Sequence, residues 1–158
     1  MTVVNWDCRF LELAKHIAEW SHDPNAKIGA VIVNSLGQVI SVGTNGFPQN
    51  VEETENRVAD KTLKNQMTVH AETNAIMIAG SASINGTIYV AGKPTCSDCA
   101  GAIIQAGIRK VISAQPQTGT ASKWDKSGLI SLEMFVEAGV EFVSNTSIGT
   151  KPPVSSEN

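Results

Sequence analysis

The chain has 158 residues, 42% of them apolar, with a formal net charge of −3 and a pI near 5.6. That length and apolar content suit one compact domain with a sizeable core. The acidic balance, with no Lys/Arg-rich run, excludes a general electrostatic pull toward nucleic acid or an anionic membrane.

No apolar stretch approaches the roughly 20 residues that cross a bilayer, and Met1–Asp7 has neither the basic nor the apolar region of a signal peptide. Three cysteines, two of them in a Cys-x-x-Cys, make no disulfide framework and fit a reducing cytoplasm.

Between Asn5 and Ser21 the residues Trp6, Phe10, Leu13, Ile17 and Trp20 fall on one helical stripe, which predicts an amphipathic helix. Cys8 lies off that stripe and reads as a partly exposed free thiol. Ser21-His22-Asp23-Pro24-Asn25 stops the helix, since proline and its predecessor both resist continuation. Ile28–Val33 is almost wholly apolar and β-branched, as a strand buried on both faces should be. Turn chemistry at Asn34–Gly37 and a returning strand at Val39–Val42 make a hairpin.

Gly43–Met67 is a long connection of the kind that is usually functional. It opens on Asn45-Gly46-Phe47-Pro48, continues through the acidic run at 52–55, and has room for a short helix over Asn56–Asn65. His70–Ala79 reads as a helix with Ala75, Ile76, Ile78 and Ala79 inward, stopped at Gly80. Then come a strand at Thr87–Val90, a helix over Ser97–Ala106 and a strand at Lys110–Ser113. A polar loop containing Trp124 leads to a helix over Gly128–Ala138 and a strand at Val140–Val143.

This alternation predicts an α/β/α sandwich: a mixed five-stranded sheet with an opening antiparallel hairpin, mainly parallel connections after it, and helices on both faces. The expected domain spans 1–143. Residues 144–158, rich in Ser, Thr, Pro and Asn, read as a flexible tail.

Chemistry concentrates in Thr68-Val69-His70-Ala71-Glu72 and Pro94-Thr95-Cys96-Ser97-Asp98-Cys99. Zinc prefers imidazole nitrogen and thiolate sulfur in tetrahedral geometry, and a catalytic zinc keeps three protein ligands plus water. His70, Cys96 and Cys99 supply three. Cys96 and Cys99, three apart at a helix start, can face one point, where free amides and the helix dipole favour thiolates. Two thiolates balance the ion's charge. Glu72, two residues after His70, can reach a metal-held water without replacing a ligand and move its proton.

Three alternatives stay open on the residues alone. The Cys-x-x-Cys can be a redox pair, though that leaves His70 and Glu72 without a role. It can be half of a structural zinc site, though no fourth ligand is evident among Cys8, His16 and His22. A zinc-stabilised binding module without catalysis would make Glu72 dispensable.

His-x-Glu followed by Pro-Cys-x-x-Cys is the pattern of zinc-dependent nucleobase deaminases, and here the chain resembles the cytidine and deoxycytidylate deaminase superfamily, the deoxycytidylate deaminases most of all. The resemblance extends to Ser21–Val33, Gly43–Pro48, Cys96–Ala100 and Ile104–Ile108. It departs from the pattern at Thr95, where proline usually precedes the first cysteine, and at Gln49-Asn50, where the group often carries glycine.

What the resemblance implies is hydrolytic deamination of a cytosine deoxynucleotide, dCMP to dUMP and ammonia, in pyrimidine nucleotide metabolism. A zinc-activated water attacks C4, and Glu72 protonates N3 and then the departing amine. It also implies one Zn2+ per chain on His70, Cys96 and Cys99, and substrate contacts from Lys27 (phosphate), Asn45 (sugar or ring) and Ala71. Phe47 and Trp124 are candidate walls for the base. The expected partners are a small-molecule nucleotide and further copies of the chain in a homo-oligomer, with no membrane and no nucleic acid. Rival substrates are dCTP, 5-methyl-dCMP, cytidine and nucleoside antibiotics. A tRNA adenosine deaminase shares the motifs but should present a basic surface, against which the net charge of −3 and the acidic 52–55 run both count.

Overall fold

The computed structural model describes residues 4–149. Five strands, β1 (Gly29–Val33), β2 (Val39–Thr44), β3 (Thr87–Ala91), β4 (Lys110–Ser113) and β5 (Glu141–Ser144), form one sheet in the order β2-β1-β3-β4-β5. β1 is antiparallel to both β2 and β3, whereas β3, β4 and β5 run parallel. The expected mixed sheet with its opening hairpin is therefore present.

Alternation along β1 explains its wholly apolar sequence. Ala30 and Ile32 face a core completed by α4 (Ala71–Ala79), α5 (Ser97–Gln105) and α6 (Lys123–Ala138). Val31 and Val33 face a second core with Leu11, Ala14 and Ile17 of α1 (Trp6–Ala18). Both faces are covered, so no position of β1 needs to be polar.

Two helices approach the sheet most closely at alanine, and each leaves some of its largest apolar residues outside the contact. On α1 the buried residues are Cys8, Leu11, Ala14, Ile17 and Ala18, while Trp6 and Trp20 are more than half exposed. Cys8 is thus buried, contrary to its sequence reading, because the contact face is rotated toward the small residues. The reason lies at Gly29: a Cβ there would stand 2.1 Å from the Ala14 carbonyl oxygen. The same device seats α4 on β2, where a Cβ at Gly43 would meet the Ala71 oxygen at 2.3 Å. Consequently Ala71, Ala75 and Ala79 point inward, and Ile78, expected inward, is 75% exposed. Gly43→Ala should cost about 3 kcal/mol or more and lower Tm by roughly 6 °C or more. A thermal melt within 2 °C of wild type, on the order of 1 kcal/mol, would contradict that backbone-on-backbone seating.

The long connection holds two short helices rather than one, α2 (Glu55–Ala59) and α3 (Lys61–Met67). Asp60 separates them with extended backbone (ψ 100°), ending α2 and capping the amides of Thr62 and Leu63. Asn50, where the resembled group often has glycine, adopts φ 65°, a conformation asparagine tolerates better than most residues. α6 begins at Lys123, five residues before the expected Gly128, because Ser122 caps the Asp125 amide. Trp124 is therefore helical. β5 continues to Ser144, paired with Ser113, and a 3₁₀ turn follows at Asn145–Ser147. Regular backbone thus extends past the expected boundary at 143, and 150–158 of the expected tail lie outside the described residues. No helix among the described residues is long and apolar enough to cross a membrane.

Candidate active site

α4 and α5 begin side by side with their first turns facing each other. His70 is the N-cap of α4 and Cys96 the N-cap of α5, and neither side chain caps its own helix. Instead the His70 Nδ1 lies 3.4 Å from Cys96 Sγ and 3.3 Å from Cys99 Sγ. The three donor atoms all fall within 4.8 Å of one another. Tetrahedral zinc at ordinary bond lengths sets nitrogen and sulfur ligands about 3.6 Å apart, so the trio matches the ion in spacing and in ligand softness. No fourth His, Cys, Asp or Glu joins this group among the described residues, so the chain offers three ligands there.

Thr95 fixes the approach to Cys96 without the usual proline. Its hydroxyl donates to Ser113 Oγ at 3.1 Å, and its carbonyl accepts from Ser131 Oγ at 2.8 Å. Ser127 of α6 accepts the Ser97 amide at 2.9 Å and so takes over the capping that Cys96 gives up.

Glu72 is in the first turn of α4 and is 4% exposed. Burial pushes its carboxyl above the ordinary range and the charge of Cys96 adds to this, opposed by its own amide and by His70. A carboxyl whose proton affinity is raised in this way is the better acceptor for a proton that it later returns. In the metal-free chain the two cysteines divide the work: the Cys96 thiolate is favoured, its pKa brought down to about 4 chiefly by the Cys99 hydrogen bond. The same hydrogen bond, and burial, hold the Cys99 proton on.

His70, Glu72 and Cys96 line a cavity of about 970 Å³, with Cys99 buried behind them. The Trp124 ring stands 6.0 Å from that of His70 and forms one wall, as one of the two aromatic readings expected; Phe47 does not line it. Asn45 does, but both ends of its amide are engaged by the framework. Its Oδ1 accepts the Ile28 amide at 2.8 Å and its Nδ2 donates to the Ala26 carbonyl at 2.7 Å. Ala71 is fully buried at the head of α4.

Lys27 is the misplaced expectation. It does not line the cavity; it precedes β1 and turns outward to Glu19, the C-cap of α1, 3.6 Å away. The cavity's lysines are Lys61 and Lys64 of α3, Lys93 before the Cys96 loop, and Lys123 at the start of α6. Lys93 had a usable sequence signal, standing three residues before Cys96. Lys61, Lys64 and Lys123 had none, since only the fold brings α3 and α6 to this opening.

The Cytidine and deoxycytidylate deaminase zinc-binding region matches residues 4–115, which is most of the chain. The chain belongs to the cytidine and deoxycytidylate deaminase family. It is 36% identical over 139 residues to an uncharacterized deaminase from the luxG 3′ region of Aliivibrio fischeri, covering 88% of this chain and 92% of that protein. It is 40% identical over 115 residues to the human deoxycytidylate deaminase, covering 69% of this chain and 64% of the human one. Among solved structures, the cyanophage S-TIM5 dCMP deaminase in complex with dCMP and dUMP aligns at a TM-score of 0.70 with 22% identity, covering 91% of this chain and 99% of that one. That likeness concerns the fold. Acinetobacter baumannii RibD shares the fold as well, with a TM-score of 0.62 and 23% identity, over 89% of this chain and 35% of its own. Within this zinc-binding family, His70, Cys96 and Cys99 are the residues positioned to hold the metal.

Proposed function

We propose that the protein hydrolytically deaminates dCMP to dUMP and ammonia. The observation that carries this reading is the placement of Glu72, buried beside the His70–Cys96–Cys99 trio and lining the cavity. Zinc, when bound, supplies Lewis-acid polarisation of a water molecule in its open position. The chain's own residues do the rest. Glu72 holds the proton that the nucleophile gives up, delivers it to N3 of the cytosine ring, and serves the departing amine in the same way. Trp124 packs beside the base, and buried walls keep bulk water from competing for these charges. Ala71 contributes its backbone amide at the head of α4, and Asn45 the second N–H of its amide.

A phosphorylated substrate is favoured by the cations at the opening. Lys64 is paired with Asp23, but Lys61, Lys93 and Lys123 line the cavity without an ion-pair partner among the described residues. Against them the same opening carries Asp98. In a chain with a net charge of −3 this is a local site for an anion. The test is a panel of dCMP, dCTP, deoxycytidine, cytidine and 5-methyl-dCMP, followed by ammonia release. The highest kcat/KM is expected on dCMP. Lys93→Met and Lys123→Met should each raise its KM roughly tenfold while leaving deoxycytidine turnover unchanged. Equal use of deoxycytidine and dCMP would remove the phosphate from the reading.

A cytoplasmic enzyme of nucleotide metabolism fits this reading, in keeping with three unpaired thiols. Homo-oligomer formation is favoured by Met77 and Ile78 on α4 and by Ile84 just beyond it, each more than half exposed.

A further inference from the structure

Residues 47–67 belong to the long connection between β2 and β3, and in this whole segment only one side chain is buried: Lys64, 6% exposed. The apolar residues Phe47, Val51, Val58, Leu63 and Met67 are only half-buried, and α2 has no buried residue at all. A loop-and-helix segment of this length is normally held by an apolar plug. Here the fixed point is an ammonium group.

Its partner is Asp23, whose side chain is 10% exposed, with Nζ 3.0 Å from both carboxylate oxygens. Asp23 Oδ1 also accepts the amides of Asn25 at 2.8 Å and Ala26 at 3.0 Å. The Ala26 carbonyl accepts from Asn45, and the neighbouring Gly46 exchanges both backbone hydrogen bonds with Val69 (3.1 and 2.8 Å). Val69 leads back through Thr68, whose amide and hydroxyl both donate to the Lys64 carbonyl (3.0 and 2.7 Å). The circuit is closed: Lys64, Asp23, Ala26, Asn45, Gly46, Val69, Thr68 and Lys64 again. It encloses one side of the cavity and ends one residue before His70.

Burying an ammonium and a carboxylate costs several kcal/mol that good geometry only offsets, and an apolar pair at 64 and 23 together would hold α3 at least as stably. What the ion pair adds is direction. We infer that Lys64 and Asp23 are positioning residues, a latch that sets α3, with Lys61 and Asn65, against the substrate side of the cavity. Substrate binding rather than the chemical step depends on it, because Glu72 and the cysteines stand on α4 and α5, outside the circuit. The kinetic part of this inference rests on the deamination reading; the exchange measurement below does not.

The experiment compares zinc-loaded wild type with Lys64→Met, Lys64→Arg and Asp23→Asn. Asn at 23 keeps an oxygen for the Asn25 and Ala26 amides, so this variant preserves the turn if Lys64→Met fails to fold. In Lys64→Met and Asp23→Asn, KM for dCMP should rise about tenfold or more with kcat within about threefold and zinc content unchanged. Amide hydrogen exchange across 55–67 should accelerate about tenfold or more in both, and Lys64→Arg, which can satisfy the carboxylate, should restore most of each change. A lower Tm with KM and exchange both unaltered, or an arginine variant no better than methionine, would overturn the latch. Exchange decides the matter even if wild type proves inactive on every nucleotide, an outcome that would sink the deamination reading alone.

Discussion

Glu72→Gln is expected to reduce kcat on dCMP by about 10²–10⁴-fold, the range that a positioned proton carrier supplies, while zinc content stays at one per chain. Glutamine keeps the shape of the side chain but cannot exchange a proton. The accompanying change in stability gives the result its meaning. Burial holds the Glu72 carboxyl above its ordinary range, so its ionised form is disfavoured in the folded chain. Removing such a group should leave Tm unchanged or raise it, the pattern of a residue kept for activity at the expense of stability. Loss of activity together with a large fall in Tm would instead mark Glu72 as structural, and retained activity would remove Glu72 from the proton transfer, whereas a zinc-loaded wild type with no turnover would favour the non-catalytic zinc module. Metal analysis, a thermal melt and initial rates on one preparation separate these outcomes.

Removing the metal should have the other large effect. Cys99→Ser, or exhaustive chelation of wild type, should abolish measurable turnover and lower the melting temperature. A site held a thousandfold above its Kd contributes about 4 kcal/mol, or roughly 8–16 °C for a chain of this size. Readdition of zinc should restore the chelated wild type but not Cys99→Ser. The pH dependence follows from the thiols. Without metal, Cys99 keeps its proton, held there by the Cys96 hydrogen bond and by burial, so loading the ion must expel that proton. Apparent zinc affinity should therefore fall as pH falls and rise as pH rises, with protons released on loading. Titration of the metal-free chain in buffers of different ionisation enthalpy measures the proton count. No proton release, or affinity independent of pH, would contradict the thiolate ligand set.

The chemistry of this protein was legible in its sequence because it depends on short spacings. His70 and Glu72 are two apart and Cys96 and Cys99 three apart, so the first turn of a helix brings each pair to a point whatever the rest of the chain does. The five strands were legible for a similar reason, since β1 is buried on both faces and must be apolar throughout. The helix faces were not. Large side chains suggested a stripe on α1 through Trp6 and Trp20, but the contact was decided by how closely backbones approach at Gly29 and Gly43. Substrate contacts were the least legible. Lys27 sits beside a motif yet turns to Glu19, whereas Lys61, Lys93 and Lys123 reach the cavity from three separate segments. Asn45 stands where it was expected, but its amide hydrogen-bonds to Ala26 and Ile28, so it shapes the wall as part of the frame. Long-range placement of polar side chains is a property of the assembled fold.

The most direct measurement runs the zinc-loaded wild-type chain on dCMP in isotopically labelled water, with mass analysis of the product and a parallel ammonia assay. Hydrolytic deamination beside Glu72 predicts dUMP carrying one labelled oxygen on the ring and one ammonia per dUMP formed. Unchanged dCMP in the presence of bound zinc, or dUMP without the label, would contradict it.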